Sequence, residues 1–179
     1  MTNLIEVLKE QAAFGFTGKV NIQLASNGQF QGVIYQRDGT VVEAHYGQTR
    51  GKKALFKLIF EDVESREHFK FIVEPELVPE GFCSIKMSFD EVRNEAQSLY
   101  QKYVQAKKLK PAFNLKLVID PEIIVGSEEI TPEEFDILSL LSEWCLVSDL
   151  YKYSKLMEFE VTNALIGLRK KRAIKVFQN

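Results

Sequence analysis

Apolar residues recur along this chain with two distinct periods, and the changes of period divide it into elements. In residues 3–13, Leu4, Val7, Leu8 and the Gln11-Ala12 pair fall on one face of a 3.6-residue repeat, which predicts an amphipathic helix. Phe14-Gly15-Phe16-Thr17-Gly18 interrupts it. The period then becomes two: Val20, Ile22 and Leu24 alternate with polar residues, the signature of a half-buried strand over 19–24. Ser26-Asn27-Gly28 makes a turn, and two β-branched runs follow over 29–36 and 40–46, separated by Asp38-Gly39. That dipeptide favours a type I′ turn, whose two central residues both need positive φ. Gly47 and Gly51 bracket a short loop, after which 52–61 returns to helical spacing with Ala54, Leu55, Leu58 and Ile59 on one side. A last alternating run, 67–73, sets Phe69, Phe71 and Val73 on one face. A helix, three strands, a helix and a fourth strand predict an antiparallel sheet packed on helices.

The second half reads differently. Pro75 and Pro79 lead the chain away from the sheet, and 83–87 offers a short extra strand. Ser88 and Glu91 have the spacing of a capping box, which starts a helix. Along it Val92, Ala96, Leu99, Tyr103 and Ala106 form one apolar stripe about four turns long. Such a stripe packs on the sheet or joins two halves of a chain; being narrow and containing Ala and Tyr, it also suits a homodimer seam. Lys107-Lys108-Leu109-Lys110-Pro111 ends the helix and marks a boundary, dividing the chain into 1–110 and 111–179. Leu115, Leu117 and Ile119 predict a strand, with 123–129 as connector. Thr131-Pro132-Glu133-Glu134 starts a helix by N-cap hydroxyl, Pro at N1 and acids at the positive pole of the helix dipole. Phe135, Leu138 and Leu141 are its expected inward residues, with Leu140 beside them. A short helix from Val147, a turn at Leu156-Met157, a third helix over 159–168 with Val161, Ala164, Leu165 and Leu168 inward, and a strand over 174–176 complete the chain. The expected class is α+β.

The stretch from Gly32 to Ala54, with Leu4-Ile5-Glu6-Val7-Leu8, Thr17-Gly18-Lys19-Val20-Asn21-Ile22 and His68-Phe69-Lys70-Phe71, resembles the PATAN domain. That domain, of unknown function, occurs in bacterial signalling proteins, often beside response-regulator receivers. The three helices and closing strand of 111–179 resemble the winged-helix fold, a unit that accompanies PATAN domains. The resemblance implies a protein-binding role in two-component signalling or in surface motility and pilus control. No residue of the PATAN pattern is tied to chemistry. This sequence shows no aspartate-bearing receiver pattern, so a phosphorylation input would come from a partner.

Charge excludes little by itself. The 179 residues carry 23 basic and 25 acidic side chains, with fifteen basic against fourteen acidic in 1–110 and eight against eleven in 111–179. Neither part is a polycation, which speaks against nucleic acid as the first partner. There is no signal-peptide pattern and no apolar run near the ~20 residues of a membrane span. Cys83 and Cys145 lack CxxC spacing, so free thiols and a cytoplasmic location are expected.

Two cationic clusters are the candidate partner-binding residues. Arg50, Lys52 and Lys53 surround the start of the second helix, where an acidic protein or a phosphate would be attracted. Gly47-Gln48-Thr49-Arg50-Gly51-Lys52-Lys53 lacks the hydroxyl of a P-loop, so a nucleotide is not the first expectation. Arg169, Lys170, Lys171 and Arg172 end the third C-terminal helix, where cations also suit the helix dipole. DNA binding through this helix is the alternative function. Its N-terminal end carries Glu158 and Glu160, which would repel phosphates. For catalysis, Glu43 and His45 share a strand face near Asp38, but Asp38 belongs to the turn and no nucleophile accompanies them, so His45 reads as a surface or edge histidine. His45, His68, Cys83 and Cys145 lack metal-ligand spacing. The expectation is a non-enzymatic adaptor without metal or cofactor.

Overall fold

The computed structural model describes residues 3–64, 68–121 and 129–177. These form an α+β protein of two compact units, 1–100 and 101–179. They divide inside a helix, where the sequence reading placed the boundary at that helix's end.

In the first unit, helix α1 (Leu4–Ala13) begins at Asn3, whose side chain accepts from Glu6 N while the Glu6 carboxylate accepts from Asn3 N. Strands β1 (Gly18–Leu24), β2 (Phe30–Arg37), β3 (Thr40–Tyr46), β4 (Thr49–Arg50) and β5 (Phe69–Pro75) build one antiparallel sheet in the order β4-β3-β2-β1-β5. Asp38 and Gly39 have φ of 50° and 74°, as a type I′ turn demands. Gly39 also packs against α1, for a Cβ there would lie 2.7 Å from Ala12 O. Helix α2 (Gly51–Glu64) lies against β3, and its Ala54, Leu55, Leu58 and Ile59 are buried as expected, together with Phe56 and Phe60. Gly32 permits this closeness, since a Cβ would meet Leu58 at 2.9 Å.

β3 has a second neighbour on its β4 side. The segment 83–87 forms no continuous strand: Met87 bridges Val41, and Ile85 N donates to Val42 O at 3.1 Å. Helix α3 (Phe89–Lys107) starts with the expected Ser88–Glu91 box, and the two hydrogen bonds from Ser88 hold the Glu91 carboxyl below its usual pKa. Val92 is 0% and Ala96 6% exposed, so the chain itself covers the front of the apolar stripe. Leu99 and Tyr103 are half-buried.

In the second unit, strand β6 (Leu117–Ile119) precedes helices α4 (Pro132–Leu141), α5 (Val147–Tyr153) and α6 (Glu158–Lys170), and strand β7 (Ile174–Val176) follows them. β6 and β7 pair antiparallel, so a ribbon from either side of the helices closes this unit, with Lys116 bridging Leu146 on the other flank of β6. The core joins Ile137, Leu141, Val147, Leu150, Val161, Ala164, Leu165 and Leu168 to Leu117 and Ile174. Phe135 departs from the expectation: it is 64% exposed, and Ile137 holds the inward position. The expected connector over 123–129 lies outside the described residues except Glu129.

Candidate interaction surface

The start of α2 shows what the first cationic cluster does. Gly51, with φ of 66°, turns the chain from β4 into the helix. Its N–H donates to Glu43 Oε1 at 2.9 Å, and Ala44 N donates to the same oxygen at 3.0 Å. A buried carboxylate of the chain therefore fills the positive pole of α2, where a phosphate would otherwise be drawn. Lys52 is paired with Glu95 at 2.8 Å. Lys53 is half-buried, while Arg50 and Lys52 are exposed. The anion at this helix start is thus supplied by the chain itself.

His45 Nε2 lies 3.7 Å from the same Glu43 oxygen. The ring is half-buried: it packs edge-on against Tyr35 and Phe82 with centroids 5.9 and 5.7 Å away, and Nε2 is buried without a hydrogen bond among the described residues. Asp38 stays in its turn, its N–H donating to Thr17 Oγ1 at 2.9 Å. The structure joins Glu43 to His45 and leaves Asp38 outside. Among the described residues, no three His, Cys, Asp or Glu side chains gather in a metal-binding group, and Cys83 and Cys145 are free thiols.

The second cluster is split in two. Lys171 turns inward, donating to Glu134 Oε2 at 2.5 Å and to Glu129 O at 2.6 Å. Glu134 is itself buried and also caps α4 by accepting from Thr131 N at 2.9 Å. Arg169, Lys170 and Arg172 remain exposed. Arg172 takes φ of 57° and ends α6 in a Schellman arrangement, with Ala173 N donating to Leu168 O at 2.8 Å and Arg172 N to Arg169 O at 3.1 Å.

At the opposite end of α6, Glu160 accepts from Met157 N at 2.7 Å, and Glu158 pairs with Lys110 at 2.8 Å. Lys110 also lies over the rings of Phe113 and Tyr151, at 4.7 and 4.8 Å. The Tyr151 hydroxyl meets Thr162 Oγ1 at 2.7 Å, and burial pushes its pKa up, keeping it neutral.

Periodicity did not reveal an aliphatic groove of about 510 Å³ beside β7. Leu165 and Ile166 of α6 form one wall, and Ile174 and Val176 of β7, with Leu117 of β6, form another. Arg169 and Lys175 stand in its lining as the only charged residues there among those described. Lys175 is 64% exposed and is paired with the buried carboxylate of Asp120. The signal that could have found the groove is Ile166, apolar on the outward side of a helix whose inward positions were already filled. Compared with protein-family models, with curated proteins and with solved structures, the chain matches none. No helix among the described residues is long and apolar enough to cross a membrane.

Proposed function

We propose that this protein is a non-enzymatic adaptor of bacterial signalling that works in the cytoplasm by binding other proteins, in two-component or surface-motility regulation. The observation that carries the binding role is the groove beside β7, aliphatic along its walls and cationic at the end where Arg169 stands. A trough walled by aliphatic side chains suits a partner's side chains. The resemblance to PATAN supplies the signalling context. Arg169, Lys170 and Arg172 are the contact residues in this reading, with Arg50 a secondary candidate; Lys52, Lys53 and Lys171 are committed within the chain.

DNA binding through α6 is the competing function. Glu158 and Glu160 stand at the end that would enter a major groove, and Ile166 faces the aliphatic trough. Homodimerisation through α3 is disfavoured because Val92 and Ala96 are already covered. The test is affinity capture from native cytosol with the intact protein at low and moderate salt, identifying both protein and DNA. A discrete protein retained at moderate salt supports the adaptor. DNA that is recovered at low salt and lost steeply as salt rises supports the regulator instead. Leu99→Glu tests the seam: a wild-type dimer that this change converts to monomer would restore it.

A further inference from the structure

Lys110 occupies a cage of two aromatic rings and a carboxylate. The rings of Phe113 and Tyr151 stand edge-on to each other, with centroids 5.5 Å apart and planes at 89°. The ammonium lies over both, at 4.7 and 4.8 Å, while donating to Glu158 Oε2 at 2.8 Å. Two ring faces and an acid are the surroundings that recognise an alkylammonium ion.

The aromatic walls are held by bonds that leave Lys110 out. Phe113 O accepts from Ser148 N at 3.1 Å, which ties the first wall to the start of α5. Thr162 Oγ1 donates to Glu158 O at 2.8 Å, so in its contact with Tyr151 it is the acceptor, and the Tyr151 hydroxyl fixes the second wall to α6. Glu158 is the first residue of α6. The occupant is held less firmly. The Lys110 side chain is 29% and that of Glu158 48% exposed, and an ion pair so open to water is weak. Lys107 lines a cavity of about 100 Å³ beside Lys110 and Glu158, but its ammonium rests over a different ring, Tyr103, at 5.7 Å.

Fixed walls around a loosely held ammonium define an exchangeable site. Going beyond the adaptor reading and not resting on it, we propose that Phe113, Tyr151 and Glu158 form a binding site for a primary alkylammonium group, closed in the free protein by Lys110. The ligand class follows from Glu158, whose carboxylate accepts from an N–H that a lysine-type ammonium has and a quaternary one lacks. A tethered occupant competes at an effective concentration on the order of millimolar, so the site opens fully only when Lys110 is removed or drawn away.

The experiment is an NMR titration of the intact protein, following the ring signals of Phe113 and Tyr151. Butylammonium stands for a free amine and Nα-acetyllysine methylamide for a partner's lysine; the tighter of the two names the source. Tetramethylammonium and sodium at equal ionic strength are the controls. Wild type is compared with Lys110→Ala and with Lys110→Ala combined with Glu158→Gln, thermal melts establishing that each is folded; Lys110→Ser replaces the alanine variant if that one does not fold. The lysine-free variant is expected to bind one or both primary amines saturably, at least about tenfold more tightly than wild type, than the double variant, or than it binds tetramethylammonium. No saturable shift in that variant, equal affinity in wild type or in the double variant, or equal binding of tetramethylammonium overturns the proposal. Each of those results leaves the adaptor reading standing, and failure to capture a partner overturns that reading without touching the cage.

Discussion

The carboxylate of Glu134 occupies the space in front of Gly167: a Cβ built on that glycine would lie 2.1 Å from Oε1. A glycine inside a helix ordinarily weakens it, and alanine there would ordinarily add about 1 kcal/mol. Here the glycine makes room for a buried acid that caps α4 and receives Lys171.

Gly167→Ala is therefore expected to destabilise the C-terminal unit by about 1–3 kcal/mol, the usual cost of overpacking. Thermal or urea unfolding measures it. A stabilised variant would mean that Glu134 moves aside at no cost.

The four cations at the end of α6 should separate sharply in their effects. Lys171→Ala leaves the buried Glu134 carboxylate without its ammonium and is expected to cost about 2 kcal/mol of stability. Lys170→Ala, on an exposed side chain, should stay within about 0.5 kcal/mol. Equal losses in denaturant titrations of the two variants would contradict the inward assignment of Lys171.

Arg172 holds a left-handed conformation that glycine adopts without steric cost. Arg172→Gly is expected to raise stability by about 1 kcal/mol, because the position is the C′ residue of a Schellman motif. The same change should weaken partner capture if the exposed cations make the contact. A stabilised variant with full capture would assign the binding charge to Arg169 and Lys170 alone.

Asp62 accepts from Leu4 N at 2.7 Å at the start of α1, and burial nonetheless raises its pKa above 3.8, outweighing that hydrogen bond and the charge of His68. With the folded pKa above the unfolded one, the folded state binds the extra proton, so this group's ionisation lowers stability as pH climbs through that interval. Asp62→Asn, which keeps an acceptor for Leu4, is expected to be more stable than wild type at neutral pH. The difference should shrink as pH falls and the wild-type carboxyl becomes protonated. Melting curves from neutral to acidic pH check the sign; a gap that widens toward low pH would reverse it.

Local signals were legible and long-range ones were not. Asp38-Gly39, Ser88 and Thr131 announced a turn and two helix starts because their chemistry is complete within four residues. Phe135 misled because hydrophobicity alone favoured its face of α4. The face that turns inward carries Glu134, and what makes that acceptable is Lys171, 37 residues away, and the space at Gly167. The same holds at α2, where the cations around Gly51 suggested an external anion while the internal one, Glu43, lay on β3. The groove was hidden for a related reason. It exists only because β7 pairs with β6, on the far side of three helices in sequence.

A strand edge that no described residue pairs, with exposed Val176 on it and exposed Phe177 beside it, is also a template on which unfolding chains can stack into fibrils. β7 is three residues long and carries Lys175 at its centre, so a growing stack would have to align a column of ammonium groups. Lys175 thus stands where a gatekeeper would, discouraging self-assembly along the edge that no described residue pairs.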